Sequence, residues 1–300
     1  MTESSAVVEE GLDEERARVA AVQAADEVAL ELGSLRLLRL GSNAVFVGSD
    51  VLVRVAPAAS SRVTVEGSVG VARWLAAADV PAVRLVDVKQ PVVARGLLVT
   101  FWQYLGADDR FGSTVDLARL LRRLHGLDAP AELGLPALDP FHRADARLAG
   151  AVLPAADRDF LRLRLQELRQ AYGELQFELV PGVIHGDASV GNVLLDEASE
   201  PRLIDLDGFA VGAREWDLIL TAIYYERYGW HTAIEYQAFC ETYGVDVMAW
   251  DGYEVLADVR ELLMVTWLAW KAGEPKLAGE VAKRVAAART GVSRRDWQPI

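Results

Sequence analysis

Cysteine occurs once in this 300-residue chain, asparagine twice, and lysine and histidine four times each. The single thiol, Cys240, cannot close an internal disulfide, which fits a reducing compartment, and its neighbours Phe239 and Tyr243 predict an interior, unreactive side chain. His142 and His231 lack the His or Cys companions at ligand spacing that a zinc site needs. No run of about 18 apolar residues is present, and the start Met1-Thr2-Glu3-Ser4-Ser5 carries no basic region, so the expectation is a cytoplasmic chain with no membrane partner. Basic residues number 31 against 44 acidic ones, a net charge of −13. Binding a nucleic-acid backbone depends on clustered cations, so nucleic acid is excluded as a partner; a neutral or cationic small molecule fits better, with solubility as the alternative role of the acidity.

What the chain does have is apolar content, 52% against 25% charged, enough for one large core or two medium ones joined at a cleft. Periodicity predicts a helix over 12–32, short strands over 35–40, 44–47 and 51–55, a helix over 63–78 and strands over 81–88 and 96–101. Beyond Tyr104 the pattern turns helical: 115–125, 157–172 and most of 215–290 carry leucine and aromatic stripes among charged residues. His125, followed by Gly126 at the end of a leucine-rich helix, is a natural C-cap. The fold class read from this order is α+β, with a small antiparallel-sheet lobe over 1–103 and a mainly helical lobe over 104–300.

One stretch concentrates the chemistry. Ile184-His185-Gly186-Asp187 is followed by Asn192, one of only two asparagines, and then by Leu203-Ile204-Asp205-Leu206-Asp207 on the next strand. Strands around Val193 and Ile204 form a local hairpin that bears this motif. It resembles the protein-kinase catalytic loop, in which an Asp orients the acceptor hydroxyl, an Asn five positions later binds magnesium, and a further Asp holds the metal on the phosphates. Motif and two-lobe pattern together resemble the aminoglycoside phosphotransferase and choline kinase superfamily, whose fold is similar to that of protein kinases.

The resemblance implies Asp187 as the catalytic base and Asn192 and Asp205 as magnesium ligands, with Asp207 a further candidate for the metal. Hard carboxylate and amide oxygens suit Mg2+. It implies ATP or GTP as phosphate donor. Glu215-Trp216-Asp217-Leu218 resembles the element that follows the metal Asp in that family, and Asp217 is expected to cap or anchor the helical lobe.

The amino-terminal lobe departs from the family pattern. Those kinases place a phosphate-binding Lys on the third strand, whereas this chain has Arg54 there and no lysine before Lys89. Arg54 is expected to replace it through guanidinium–phosphate bonds; the other reading is a solvated charge on a strand. Glu66 is the candidate acidic partner of Arg54, or else a solvated first-turn residue. Ser42 and Asn43 in Gly41-Ser42-Asn43 either cover the phosphates or form an ordinary hairpin turn. Thr100 and Trp102 occupy the stretch between lobes where a purine would lie, though aromatics at a junction also serve packing.

The function expected is a Mg-dependent O-phosphotransferase acting on a small-molecule hydroxyl. An aminoglycoside or other amino sugar is the first acceptor class, as in antibiotic resistance, because Glu215, Glu226, Glu235, Asp246, Asp251 and Asp258 populate the helical lobe. Choline-like amines, homoserine and sugars are alternatives, as is a nucleotide-binding pseudokinase module. A metal-assisted hydrolase would want histidines or extra carboxylates that the motif lacks.

Overall fold

The computed structural model describes residues 12–106, 110–271 and 275–299. The chain packs as two compact units, Met1–Arg110 with Leu194–Asp207, and Phe111–Val193 with Gly208–Ile300. The hairpin from the middle of the chain therefore belongs with the amino-terminal unit. Its backbone accounts for this: Leu203 donates to Pro81 at 3.0 Å and accepts from Val83 at 2.8 Å, and Leu195 donates to Arg110 at 2.7 Å.

The first unit opens with α1 (Glu14–Glu27), capped by Asp13, whose carboxylate accepts from the Arg16 amide at 2.8 Å. Ala17, Ala20, Ala21, Ala24 and Ala25 recur at helical spacing and are buried. The helix is shorter than its composition predicts, because the chain turns at Ala29, which has φ 54°.

Next come β1 (Arg36–Leu40), β2 (Ala44–Gly48), β3 (Val51–Pro57), α2 (Ala58–Ala77), β4 (Val92–Ala94) and β5 (Leu97–Gln103). The strands form one antiparallel sheet in the order β1-β2-β3-β5-β4. Phe46 and Phe101, both fully buried, anchor its core with Val53, Val55 and Val99. Truncating either Phe to Ala would cost about 3–5 kcal/mol.

The strand expected over 81–88 is not formed. Isolated bridges at Ala82 and Leu85 stand in its place, and the edge strand is β4. Gln90 explains the difference. Its side chain accepts from the Phe101 amide at 2.7 Å and donates to the Phe101 and Val86 carbonyls at 3.2 and 2.8 Å, doing the work of a neighbouring backbone.

The second unit holds α3 (Thr114–Leu124), α4 (Ala144–Gly150), α5 (Ala155–Gly173) and β6 (Gly182–Ile184). After the hairpin strands β7 (Val193–Leu195) and β8 (Pro201–Leu203) come β9 (Ala210–Gly212), α6 (Glu215–Glu226), α7 (Ala233–Tyr243), α8 (Tyr253–Lys271) and α9 (Pro275–Thr290). Strand β6 pairs antiparallel with β9. Helix α8 is the hub, buried along most of its length and packed by α4, α5, α6 and α9. Helices α3 and α7 begin with reciprocal capping boxes, Ser113 with Asp116 and Thr232 with Glu235. No helix among the described residues is long and apolar enough to cross a membrane.

Candidate active site

In the second unit the segment His185–Asn192 leaves β6 as an irregular loop, and its first residues are fixed by buried partners. Asp217, fully buried in the first turn of α6, accepts from the His185 amide at 2.6 Å and the Gly186 amide at 2.9 Å. It also faces His125 Nε2 at 3.1 Å, while the other ring nitrogen of His125 lies 2.7 Å from the Tyr243 hydroxyl. Burial works to raise the Asp217 pKa, but bonds from His125, charge from His125 and His185, and the His185 amide outweigh it, and the net pKa is lowered. The expectation that Asp217 anchors this lobe is met by a specific bond set: its carboxylate caps the loop before Asp187.

Gly186 has φ 84°, and a Cβ there would lie 2.1 Å from the Gly208 carbonyl oxygen. Only glycine fits so close an approach. Trp216 Nε1 donates to the Gly186 carbonyl at 2.8 Å, completing the brace.

The loop then presents Asp187 with its side chain 58% exposed. Asn192 Nδ2 donates to the Asp187 carbonyl at 2.7 Å and reaches its Oδ2 at 3.4 Å. That bond commits the amide nitrogen and leaves Oδ1 as the coordinating end of Asn192, a hard oxygen of the kind Mg2+ takes. Asp187 Oδ1 is bonded by Arg260 Nη2 of α8 at 3.0 Å, a partner that no spacing in the sequence announces.

In the first unit, Asp205 is exposed and carries a left-handed backbone, φ 56°. Asp tolerates this region better than most residues, and such strain is concentrated at functional positions. Its carboxylate is a second hard oxygen donor, so Asn192 and Asp205 fit the chemistry of magnesium.

Asp207 is differently employed. Arg54 grips it with both arms, Nη1 to Oδ1 at 2.8 Å and Nη2 to Oδ2. Both oxygens of Asp207, the further candidate for the metal, are thus bonded by the guanidinium. Burial works against the Arg54 charge, but the bond and charge of Asp207, with the charge of Asp205, hold its pKa above the ordinary value.

The structure departs from the pairing expected for Glu66. Glu66 does not face Arg54; it pairs with Arg62 one turn back at 3.1 Å, both side chains half exposed, because Val65 and Val69 take the buried face of α2. Thr100 and Trp102 are buried, and Trp102 Nε1 donates to Thr100 Oγ1 at 2.9 Å. Their side chains are spent inside the sheet, since β5 lies between β3 and β4 and is covered on both faces. Ser42 is exposed in the β1–β2 turn. With its amide turned to satisfy both ends, Asn43 accepts from Arg54 Nη2 at 2.7 Å and Nε at 3.1 Å, and donates to the Ser42 carbonyl at 3.1 Å. Arg54 is thus no solvated strand charge but the knot tying this turn to Asp207.

The acidic residues of the helical lobe are mostly committed to local partners. Glu215 accepts from the Glu178 and Leu179 amides, Glu235 and Asp246 cap helices, and Glu226 and Asp258 face Arg227, which also binds Glu254 and Glu261. Cys240 is partly buried, and its thiol is pushed up to about 11, chiefly by burial, in keeping with an unreactive side chain.

No curated protein sequence matches the chain. Among solved structures it is similar to the amicoumacin kinase hAmiN in complex with AMP-PNP, Ca2+ and Ami, at 15% identity, TM-score 0.73 and 96% coverage of both chains. It is similar also to a microcompartment-associated aminopropanol kinase, at 19% identity and TM-score 0.72 over 90% of this chain and 95% of that one. A third likeness is to the choline kinase LicA from Streptococcus pneumoniae, at 15% identity and TM-score 0.62 over 91% and 98%. At these identities the likeness establishes the kinase-like α+β fold. The model of the phosphotransferase enzyme family matches residues 35–259, a span that includes Arg54, Asp187, Asn192 and Asp205, and the chain accordingly belongs to that family of small-molecule kinases.

Proposed function

We propose that the chain transfers the γ-phosphate of ATP or GTP to a hydroxyl of a small molecule in a Mg-dependent reaction. The observation that carries this reading is the braced loop: Asp217, Trp216 and Gly186 fix the backbone so that Asp187 stands exposed beside Asn192. Phosphoryl transfer asks a protein mainly for positioning and charge neutralisation, and a braced loop that presents an exposed carboxylate supports the first.

In this assignment Asp187 orients the acceptor hydroxyl and takes its proton. The acceptor oxygen bonds to the γ-phosphorus as the bond to the β-phosphate oxygen breaks, releasing the nucleoside diphosphate. Asn192 Oδ1 and Asp205 hold magnesium, which when bound neutralises charge on the phosphate oxygens. Arg54 is assigned to the phosphates.

The amino-sugar acceptor draws support from a phosphotransferase among the structural neighbours that is solved with GDP and kanamycin, and the aminopropanol and choline kinases there support a smaller amine. The six acidic residues of the helical lobe give it little, since five of them are bonded to backbone amides, hydroxyls or arginines. The test is incubation with magnesium and ATP or GTP against amino sugars, amino alcohols, hydroxy acids and antibiotics, scoring acceptor-dependent diphosphate release and product mass. Failure of every acceptor, with nucleotide still bound, would favour the pseudokinase reading.

A further inference from the structure

The side chain bonded to Asp187 carries the sign opposite to the one a cation-binding site needs. Arg260 is 9% exposed, lies with its guanidinium 4.6 Å from the centroid of the Trp216 ring, and spends Nη2 on Asp187 Oδ1. Trp216 is itself pinned by its bond to the Gly186 carbonyl, so the guanidinium is held in a fixed plane. Arg260 Nε is buried and has no hydrogen-bond partner. A guanidinium offers five N–H donors in a rigid fork, and a buried one left unmade is costly to keep.

Among the described residues, Asp187 is the carboxylate bonded to Arg260, whereas Arg227 gathers four. An acceptor whose hydroxyl is bonded to Asp187 places the substituents of its neighbouring carbons against this guanidinium. An ammonium group there is repelled; a carboxylate is attracted and matches the fork.

We infer that Arg260 selects acceptors bearing a carboxylate close to the phosphorylated hydroxyl, the chemistry of hydroxy acids and hydroxylated amino acids, in preference to polyamine sugars. The inference rests on the assignment of Asp187 as the residue that meets the acceptor hydroxyl. It makes Arg260 a specificity-determining residue, with the aromatic face of Trp216 setting its orientation.

Two matched pairs test it: homoserine against 3-amino-1-propanol, and serine against ethanolamine, which differ only in the carboxylate. Binding to the full chain is read from the Arg260 Nε–H resonance, assigned by its loss in Arg260→Lys, so no turnover is required. The carboxylated member of each pair should shift that resonance and bind at least about tenfold more tightly than its partner. Arg260→Gln should erase the preference and Arg260→Lys should keep part of it, with dispersed amide spectra showing that both variants are folded.

An unmoved resonance, equal binding of the amines, or a preference surviving in Arg260→Gln would each overturn the inference. The kinase reading fails separately: a carboxylate-dependent shift with no acceptor-dependent diphosphate release from any compound would leave an anion site without the transfer. Release driven by amines alone, with no shift, would leave the transfer without the proposed selectivity.

Discussion

Arg54 and Asp207 lie 153 positions apart in sequence and meet as a two-armed ion pair, with Asn43 on the remaining edge of the guanidinium. The cation assigned to phosphate is thus occupied by a carboxylate, and the two anions compete for it. Asp207→Asn should release the guanidinium and tighten metal-free ADP binding by about tenfold, the scale of a partly buried charge-assisted pair. Calorimetry with a chelator present reads this directly. An unchanged or weaker affinity would mean that Arg54 does not serve the phosphates.

Asp205→Ala should abolish productive magnesium–nucleotide binding, because the neutral Asn192 oxygen cannot hold the dication against water alone. Magnesium titration in the turnover assay is the measurement. Unaltered magnesium dependence would transfer the role to Asp207 once it is freed from Arg54.

Asp187→Asn should fold and bind nucleotide as the parent does while turnover falls by at least about a hundredfold. Near-parental turnover on the true acceptor would remove Asp187 from the chemistry.

Asp217 couples the same loop to pH. Its folded pKa lies below the unfolded carboxylate value of about 3.9, so its contribution is complete above that value and is lost as pH falls through the lower folded one. Asp217→Asn should lose about 3–5 kcal/mol at neutral pH, since it strips a buried charge from two amides and His125. Urea melts across the acid range should then show a shallower dependence on pH than in the parent. Equal slopes would place the acid sensitivity elsewhere.

Gly186→Ala should destabilise by at least about 3 kcal/mol, adding a left-handed non-glycine backbone to a contact with the Gly208 carbonyl that no rotamer relieves. A denaturant midpoint close to the parent's would show that the loop can re-form around a side chain.

The motif and the order of elements were legible because both are local. Asp187, Asn192 and Asp205 sit within one short stretch, and the shift from β-favouring runs to leucine stripes near Tyr104 follows directly from period. What was not legible depends on contacts across long separations. Nothing near Arg54 in sequence points to Asp207, and Glu66 was the nearer acid. Arg260 lies inside a long buried helix where an arginine reads as surface charge. The run 81–88 has the composition of a strand, but the competing partner for β5 is a glutamine side chain, which periodicity does not register.

The committed carboxylates also bear on how the molecule is felt at a distance. A charge of −13 suggests an acidic surface that draws cations in, yet Arg227, Arg164 and Arg294 together answer Glu226, Glu254, Asp258 and Glu261, and such paired groups project little field beyond a Debye length of about 8 Å. The helical unit behaves less like an electrostatic funnel than like a set of closed local circuits. Ionic strength should therefore act on this protein mainly through its unpaired surface acids, altering solubility while leaving the capture of an acceptor nearly unchanged.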